Sequence, residues 1–161
     1  MSALATTDLL LRDATPADLA VVLDWLGSRE QVQTWGLPAA GFHAGADWVW
    51  QAIGGAAGDT FALVDPEDRV AGFGQAVPEG PDSVHLNRII VAPGLRGLGL
   101  GRRLCLDLME QAGRRYRPRR FTLKVFQENA KAVALFQSLG FVDCPAASRA
   151  NLVVMERCAF P

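Results

Sequence analysis

Ile89-Ile90-Val91-Ala92-Pro93-Gly94-Leu95-Arg96-Gly97-Leu98-Gly99-Leu100-Gly101-Arg102-Arg103-Leu104 is the stretch around which the chain is organised. The run Ile89-Ile90-Val91 is β-branched and predicts the end of a buried strand, whereas from Leu100 onward the apolar residues recur at helical spacing. Gly97, Gly99 and Gly101 therefore fall at a strand-to-helix junction. Glycine has no Cβ, so a ligand can approach the backbone closely. The first turn of the helix also presents N–H groups that have no acceptor inside the helix. Those donors and the positive end of the helix dipole favour a phosphate.

Spacing narrows the kind of phosphate ligand. A mononucleotide loop needs four residues between its glycines and then Gly-Lys-Ser/Thr, and a dinucleotide fingerprint needs Gly-x-Gly-x-x-Gly; neither string is present. The order that is present, Arg96-x-x-Gly99-x-Gly101 after a strand and Pro93, resembles the acetyl-CoA pyrophosphate loop of the GCN5-related N-acetyltransferase (GNAT) family. A second block, Val125-Phe126-Gln127-Glu128-Asn129-Ala130-Lys131-Ala132, continuing to Leu135-Phe136 and Gly140-Phe141, is similar to that family's Asn-x-x-Ala through Gly-Phe segment and follows in the family's order. The close resemblance runs from Ser83 to Phe141, and the remainder agrees in coarse pattern.

The resemblance implies an α/β fold with a mixed sheet of about six to seven strands and flanking helices. It also implies acetyl-CoA as acyl donor and transfer to the primary amine of a small molecule or peptide in a ternary complex. The backbone of Ile89, Ile90 and Val91 would pair with the pantetheine arm like an added strand. The N–H groups of Arg96, Gly97, Leu98, Gly99, Leu100 and Gly101 would hold the pyrophosphate, with Arg102 beside them. Asn129 would contact the pantetheine. A backbone N–H near Val91 would hold the oxyanion of the tetrahedral species.

Composition sets outer bounds. The chain has 161 residues, half of them apolar, and reads as a single domain over residues 1–161. A net charge of -1 argues against a protein that works by binding nucleic acid through a strongly basic surface. Cys105, Cys144 and Cys158 are odd in number and lack metal-type spacing, which fits free thiols in a reducing compartment and no metal site. Leu9-Leu10-Leu11 is too short for a signal peptide, and no run has the length of a membrane span, so a cytoplasmic protein, monomer or homodimer, is expected.

Along the chain, Asp8 to Asp13 reads as a strand and Thr15-Pro16-Ala17-Asp18 as the start of a helix whose buried face is Leu19, Val22, Leu23 and Leu26, ending at Gly27. Residues 28–58 read poorly. Trp35-Gly36-Leu37-Pro38 and Gly41 break the chain ahead of a helix from about His43 to Ile53. Strands follow at Thr60–Val64 and Arg69–Val77, joined by Asp65-Pro66-Glu67-Asp68, and then at Ser83–Val91. After the glycine loop come an amphipathic helix, a strand with Phe121, Leu123 and Val125 on one face, a helix capped by Asn129 and ended by Gly140, and a last strand from about Ala150 to Cys158.

An alkyl amine has a pKa of about 10.4, so roughly one molecule in a thousand is neutral near pH 7 and a base is needed. His85 is the candidate. Ser83-Val84-His85-Leu86-Asn87 resembles the arylalkylamine N-acetyltransferase strand Ser-x-His-Leu-His, with Asn87 in place of the second histidine. Asn87 shares a face with His85 by the period of two. Glu79 and Asp82 are fallback bases. Phe136 stands where many family members carry a tyrosine that protonates the departing thiolate, so the common general acid is absent. Tyr116 lies beyond the far end of the preceding helix and does not replace it.

Two other readings stay open on the sequence: a non-catalytic acyl-CoA-binding or regulatory module, and an acetyltransferase of a ribosomal or RNA-associated target using the basic run Arg114 to Arg120. That run also suits a solvated helix C-terminus. Trp35 and Phe42, with His43 behind them, are candidates to line an apolar acceptor pocket.

Overall fold

A computed structural model describes residues 8–37 and 43–159. Its elements in chain order are β1 (Leu10–Asp13), α1 (Pro16–Trp25), α2 (Arg29–Trp35), α3 (Ala46–Ala52), β2 (Thr60–Val64), β3 (Val70–Glu79), β4 (Ser83–Val91), α4 (Leu100–Tyr116), β5 (Arg120–Phe126), α5 (Ala130–Ser138), β6 (Val142–Asp143) and β7 (Leu152–Cys158). The strands form a seven-stranded mixed sheet in the order β1-β2-β3-β4-β5-β7-β6. Neighbours are antiparallel except β4 and β5, which α4 joins as a parallel crossover.

Each face of the sheet carries its own core. On one face α4 and α5 bury Leu100, Leu104, Leu108, Met109 and Phe136 against Leu63, Val84, Leu86, Phe121, Leu123 and Met155. On the other, α1, α2 and α3 bury Leu19, Val22, Val32, Trp35 and Val49 against Phe73. The period of two in β3 sends Phe73 and Gln75 to one side and Gly72 and Gly74 to the other. A Cβ at Gly74 would stand 2.8 Å from Leu108 Cδ1 and one at Gly72 3.2 Å from Leu104 Cδ2, so these two glycines let α4 lie directly on the sheet.

The start of α1 follows its sequence signals. Thr15 Oγ1 accepts from Asp18 N, and the Asp18 carboxylate accepts from Thr15 N at 2.8 Å, a capping box with Pro16 at the first position. The differences from expectation are local. The first strand begins at Leu10, α1 stops at Trp25, and α3 begins at Ala46, after Gly45 in an extended conformation. Residues 29–35, which carry no legible apolar period, form α2. Ser28 Oγ accepts from Gln31 N at its start, Gly36 at φ 108° ends it, and only Val32 and Trp35 are buried along it. A two-residue strand, β6, adds to the expected elements, and β7 starts at Leu152, after Ala150 at φ 46°. Phe42 lies outside the described residues.

Candidate active site

β4 and β5 pair only at Ser83, Val84 and His85, opposite Arg120, Phe121 and Thr122, although β4 runs on to Val91 and β5 to Phe126. Beyond His85 the two strands part, and the edge of β4 that faces β5 makes no ladder. Its other edge stays paired with β3, where Ala76 faces Leu86, Phe73 faces Ile90 and Gly72 faces Val91. That ladder contains a bulge. Between Phe73 and Gln75 β3 advances two residues, while between Ile90 and Asn87 β4 advances three. Arg88 takes up the extra residue with φ 50°, an unusual conformation for a residue with a side chain. The bulge resets the alternation. Val84, Leu86, Ile89 and Val91 pack with the α4 core, whereas Ile90 packs with the opposite one.

The gap between the strands opens into a cavity of about 580 Å³. Trp35, Gly36 and Leu37 at the end of α2 wall one side, Leu123 to Phe126 of β5 another, and Asn129, Ala132 and Phe136 of α5 close the far end. His85, Asn87, Arg88 and Ile89 line it from β4, and Glu79 from β3. His85 is mostly buried, its side chain only 13% exposed. Its Nδ1 shares a hydrogen bond with Thr122 Oγ1 at 2.8 Å and lies 3.7 Å from Glu79 Oε2. Burial lowers its pKa below the ordinary imidazole value; Glu79 opposes this, and Lys124 and Arg88 add to it. His85 is therefore neutral at pH 7. Asn87, on the same face, accepts from Arg88 N at 3.0 Å and so supports the bulge.

The glycine loop divides into two kinds of residue. Gly97 at φ 80° and Gly99 at φ 81° adopt the left-handed conformation in exposed backbone, with open space where a Cβ would stand. Gly101 lies inside α4, where a Cβ would come 3.3 Å from Leu135 Cδ2, so its bare backbone also allows the close approach of α5. Arg96 Nε donates to Val91 O at 3.2 Å and closes the loop, Leu98 is exposed, and Leu100 is buried. Arg102 donates to Ser138 Oγ at 3.1 Å, joining α4 to α5. Asn129 caps α5, accepting from Ala132 N at 3.4 Å, and also lines the cavity. An unpaired strand edge leading to left-handed glycines and the N-terminus of a long helix suits an extended, amide-bearing chain that ends in phosphates, which is the chemistry of acetyl-CoA.

Several other expectations receive a place. Tyr116 donates to Asp59 at the end of α4 and lines no part of the cavity. Cys105 is buried, which pushes its thiol up to about 12 and makes it a poor nucleophile. The basic run is largely engaged by the protein itself. Arg114 pairs with Glu110, Arg115 donates to Gly58 O, Arg119 lies 3.8 Å from Asp82, and Arg120 donates to Ser83 Oγ. Trp35 lines the cavity and His43 does not. Among the described residues no group of three His, Cys, Asp or Glu could hold a metal ion, and no helix is long and apolar enough to cross a membrane.

Residues 23–141 match the model of the acetyltransferase (GNAT) family. The chain belongs to that family of acetyl-CoA-dependent N-acetyltransferases. The fold is similar to that of a spermidine N-acetyltransferase from Vibrio cholerae in complex with CoA and spermine, with a TM-score of 0.78 and 19% identity over 96% of this chain and 97% of the other. It is also similar to Ard1 from Thermoplasma volcanium, with a TM-score of 0.73 and 16% identity over 96% and 99% of the two chains. At such identities the likeness is one of fold. No curated protein sequence matches the chain.

Sequence reasoning passed over Arg88, Gln75, Thr122 and Lys124. Gln75 carried a signal, as the one polar side chain in the run Val70 to Val77. Thr122 and Lys124 carried only the period of two, and their nearness to His85 depends on the parallel register of β4 and β5. Arg88 carried none, because a bulge made without glycine or proline leaves an ordinary strand sequence.

Proposed function

We propose that the protein, acting as a single domain, acetylates a primary amine on a small molecule or peptide by direct attack, with His85 as the base. The observation that carries this reading is the position of His85: it lines the cavity at the point where β4 and β5 part, with Nδ1 already engaged. A carboxylate accepts but does not donate, so Glu79 near Nδ1 favours the tautomer with the proton on Nδ1, donated to Thr122 Oγ1. The Nε2 lone pair then takes the proton of the acceptor ammonium.

Acetyl-CoA supplies the acetyl group as a thioester, whose carbon–sulfur bond breaks as the amide carbon–nitrogen bond forms and whose thiolate takes a proton from solvent. The unpaired edge of β4 from Ile89 to Val91 and the N–H groups of Arg96 to Gly101 hold and orient the donor, with Asn129 at the far wall. Phe136 excludes water at the end of the cavity and donates no proton. Trp35 and Leu37 give the acceptor an apolar wall.

The test is thiol release from acetyl-CoA over a panel of arylalkylamines, polyamines, amino acids and peptides, repeated with His85→Ala. The variant is expected to lose about 10²–10⁴-fold in kcat/KM while still binding acetyl-CoA. Native activity is expected to fall as pH drops below about 6.5, because His85, held below its usual pKa, is protonated only there. An unchanged pH profile in His85→Ala removes His85 as base. No thiol release with any amine, from protein that acetyl-CoA stabilises against heat, removes the transfer reading.

A further inference from the structure

Among the described residues Arg88 has no counter-ion and is held in place by neutral groups. Its Nη1 donates to Gln75 Oε1 at 2.8 Å and its Nη2 to Gly36 O at 3.1 Å, while Trp35 Nε1 donates to Arg88 O at 2.9 Å and fixes the bulge from behind. Gln75 is 1% exposed and has no freedom to turn, since its Nε2 donates to Ile53 O and Thr60 Oγ1, both at 2.9 Å. A carboxylate at position 75 would neutralise the guanidinium; a glutamine holds it and leaves its charge whole. Arg88 Nε is buried with no hydrogen-bond partner among the described residues, and burial is what lowers the Arg88 pKa. Keeping an unpaired charge half-buried is costly unless a ligand completes it.

The cavity around Arg88 has a positive balance. Lys124 lines it too, and among the described residues Glu79 is the only carboxylate on its wall, with His85 neutral. A polyamine would bring several positive charges into this surplus. We propose that Arg88, assisted by Lys124, binds a carboxylate on the acceptor, so that the amine acetylated here belongs to an amino-acid-like molecule. Arginine suits the task because its planar fork grips both oxygens of a carboxylate. His85 and Arg88 are three residues apart on β4, so their Cα atoms are at most about 10 Å apart. That span fits an amine and a carboxylate on one amino acid or a short peptide.

The proposal rests on the acetyl-transfer reading, so the experiment has two arms. In the first, kcat/KM is measured for matched amines that differ by a carboxylate: phenethylamine with phenylalanine, tyramine with tyrosine, and 1,4-diaminobutane with ornithine, together with spermidine and a dipeptide of phenylalanine. In the second, the N-acetylated product of each is titrated calorimetrically into CoA-saturated protein. The carboxylate member is expected to be favoured about 10–100-fold in both arms. Arg88→Gln is expected to bring each pair close to parity, and Arg88→Lys to keep part of the preference.

Parity within the pairs in native protein, or spermidine as the best acceptor, overturns the proposal and leaves transfer standing. Carboxylate-selective product binding without turnover upholds the anion site and overturns transfer. Neither turnover nor selective binding overturns both. If Arg88→Gln fails to fold, the matched pairs in native protein decide alone. A preference for the dipeptide over phenylalanine places the carboxylate one residue further from the amine.

Discussion

The two sides of β4 are built by different means. Toward the glycine loop the groups on offer to a ligand are backbone: an unpaired strand edge, two left-handed glycines and the first turn of α4. Toward α2 they are side chains held by other side chains: His85 by Thr122, Arg88 by Gln75, and the bulge by Trp35 and Asn87. Backbone sites need glycine and helix starts at fixed spacing. Side-chain sites can be changed one residue at a time.

The strongest way to break this contrast is at the loop. Gly99→Val places a β-branched residue at φ 81°, a strain of roughly 1–3 kcal/mol in the free protein, and puts a side chain where the ligand must approach. Acetyl-CoA affinity is expected to fall at least about tenfold, and titration calorimetry measures it. Affinity left as in native protein would mean that the loop is merely a tight connection.

The contrast sharpens on the other side with Trp35→Phe, which removes the N–H donated to Arg88 O and keeps most of the apolar ring against Phe73, 5.8 Å away. The lost hydrogen bond is expected to cost about 1 kcal/mol of stability in thermal or urea unfolding. The KM of the acceptor should rise several-fold, with acetyl-CoA affinity unchanged. An equal loss on both substrates would show that α2 supports the whole sheet and not one side of it.

The same division decides what could be read in advance. β2 and β4 fall at the predicted residues, and the glycine loop stands at its strand-to-helix junction, because each rests on local rules of alternation, capping and left-handed glycine. The cavity wall toward α2 and β5 rests on contacts between residues far apart in sequence. Trp35 and Arg88 are separated by 53 positions, and His85 and Thr122 by 37. Helix α2 could not be seen because two buried residues make no period, and the bulge could not because Arg88 is not a turn residue. Gly101 carries a second constraint of the same long-range kind, since its lack of a Cβ also lets α5 approach α4.

Phe136 lies on the boundary between the two sides, and its replacement gives the smallest expected effect. Its ring is 8% exposed, packs edge-on against Phe141 at 6.1 Å and closes the cavity. A hydroxyl in Phe136→Tyr would reach the cavity from that ring. What it can gain is bounded: a thiol of pKa about 8.5 leaves as thiolate at a penalty of about 2 kcal/mol near pH 7, so a perfectly placed acid could raise kcat by at most about thirtyfold. In the proposed mechanism solvent supplies this proton, and the new hydroxyl has no built partner, so a change of less than about threefold is expected in steady-state turnover near pH 7. A gain approaching thirtyfold would mean that departure of the thiolate limits the native protein, and the limiting chemistry would then lie on the donor side of β4 instead of at His85.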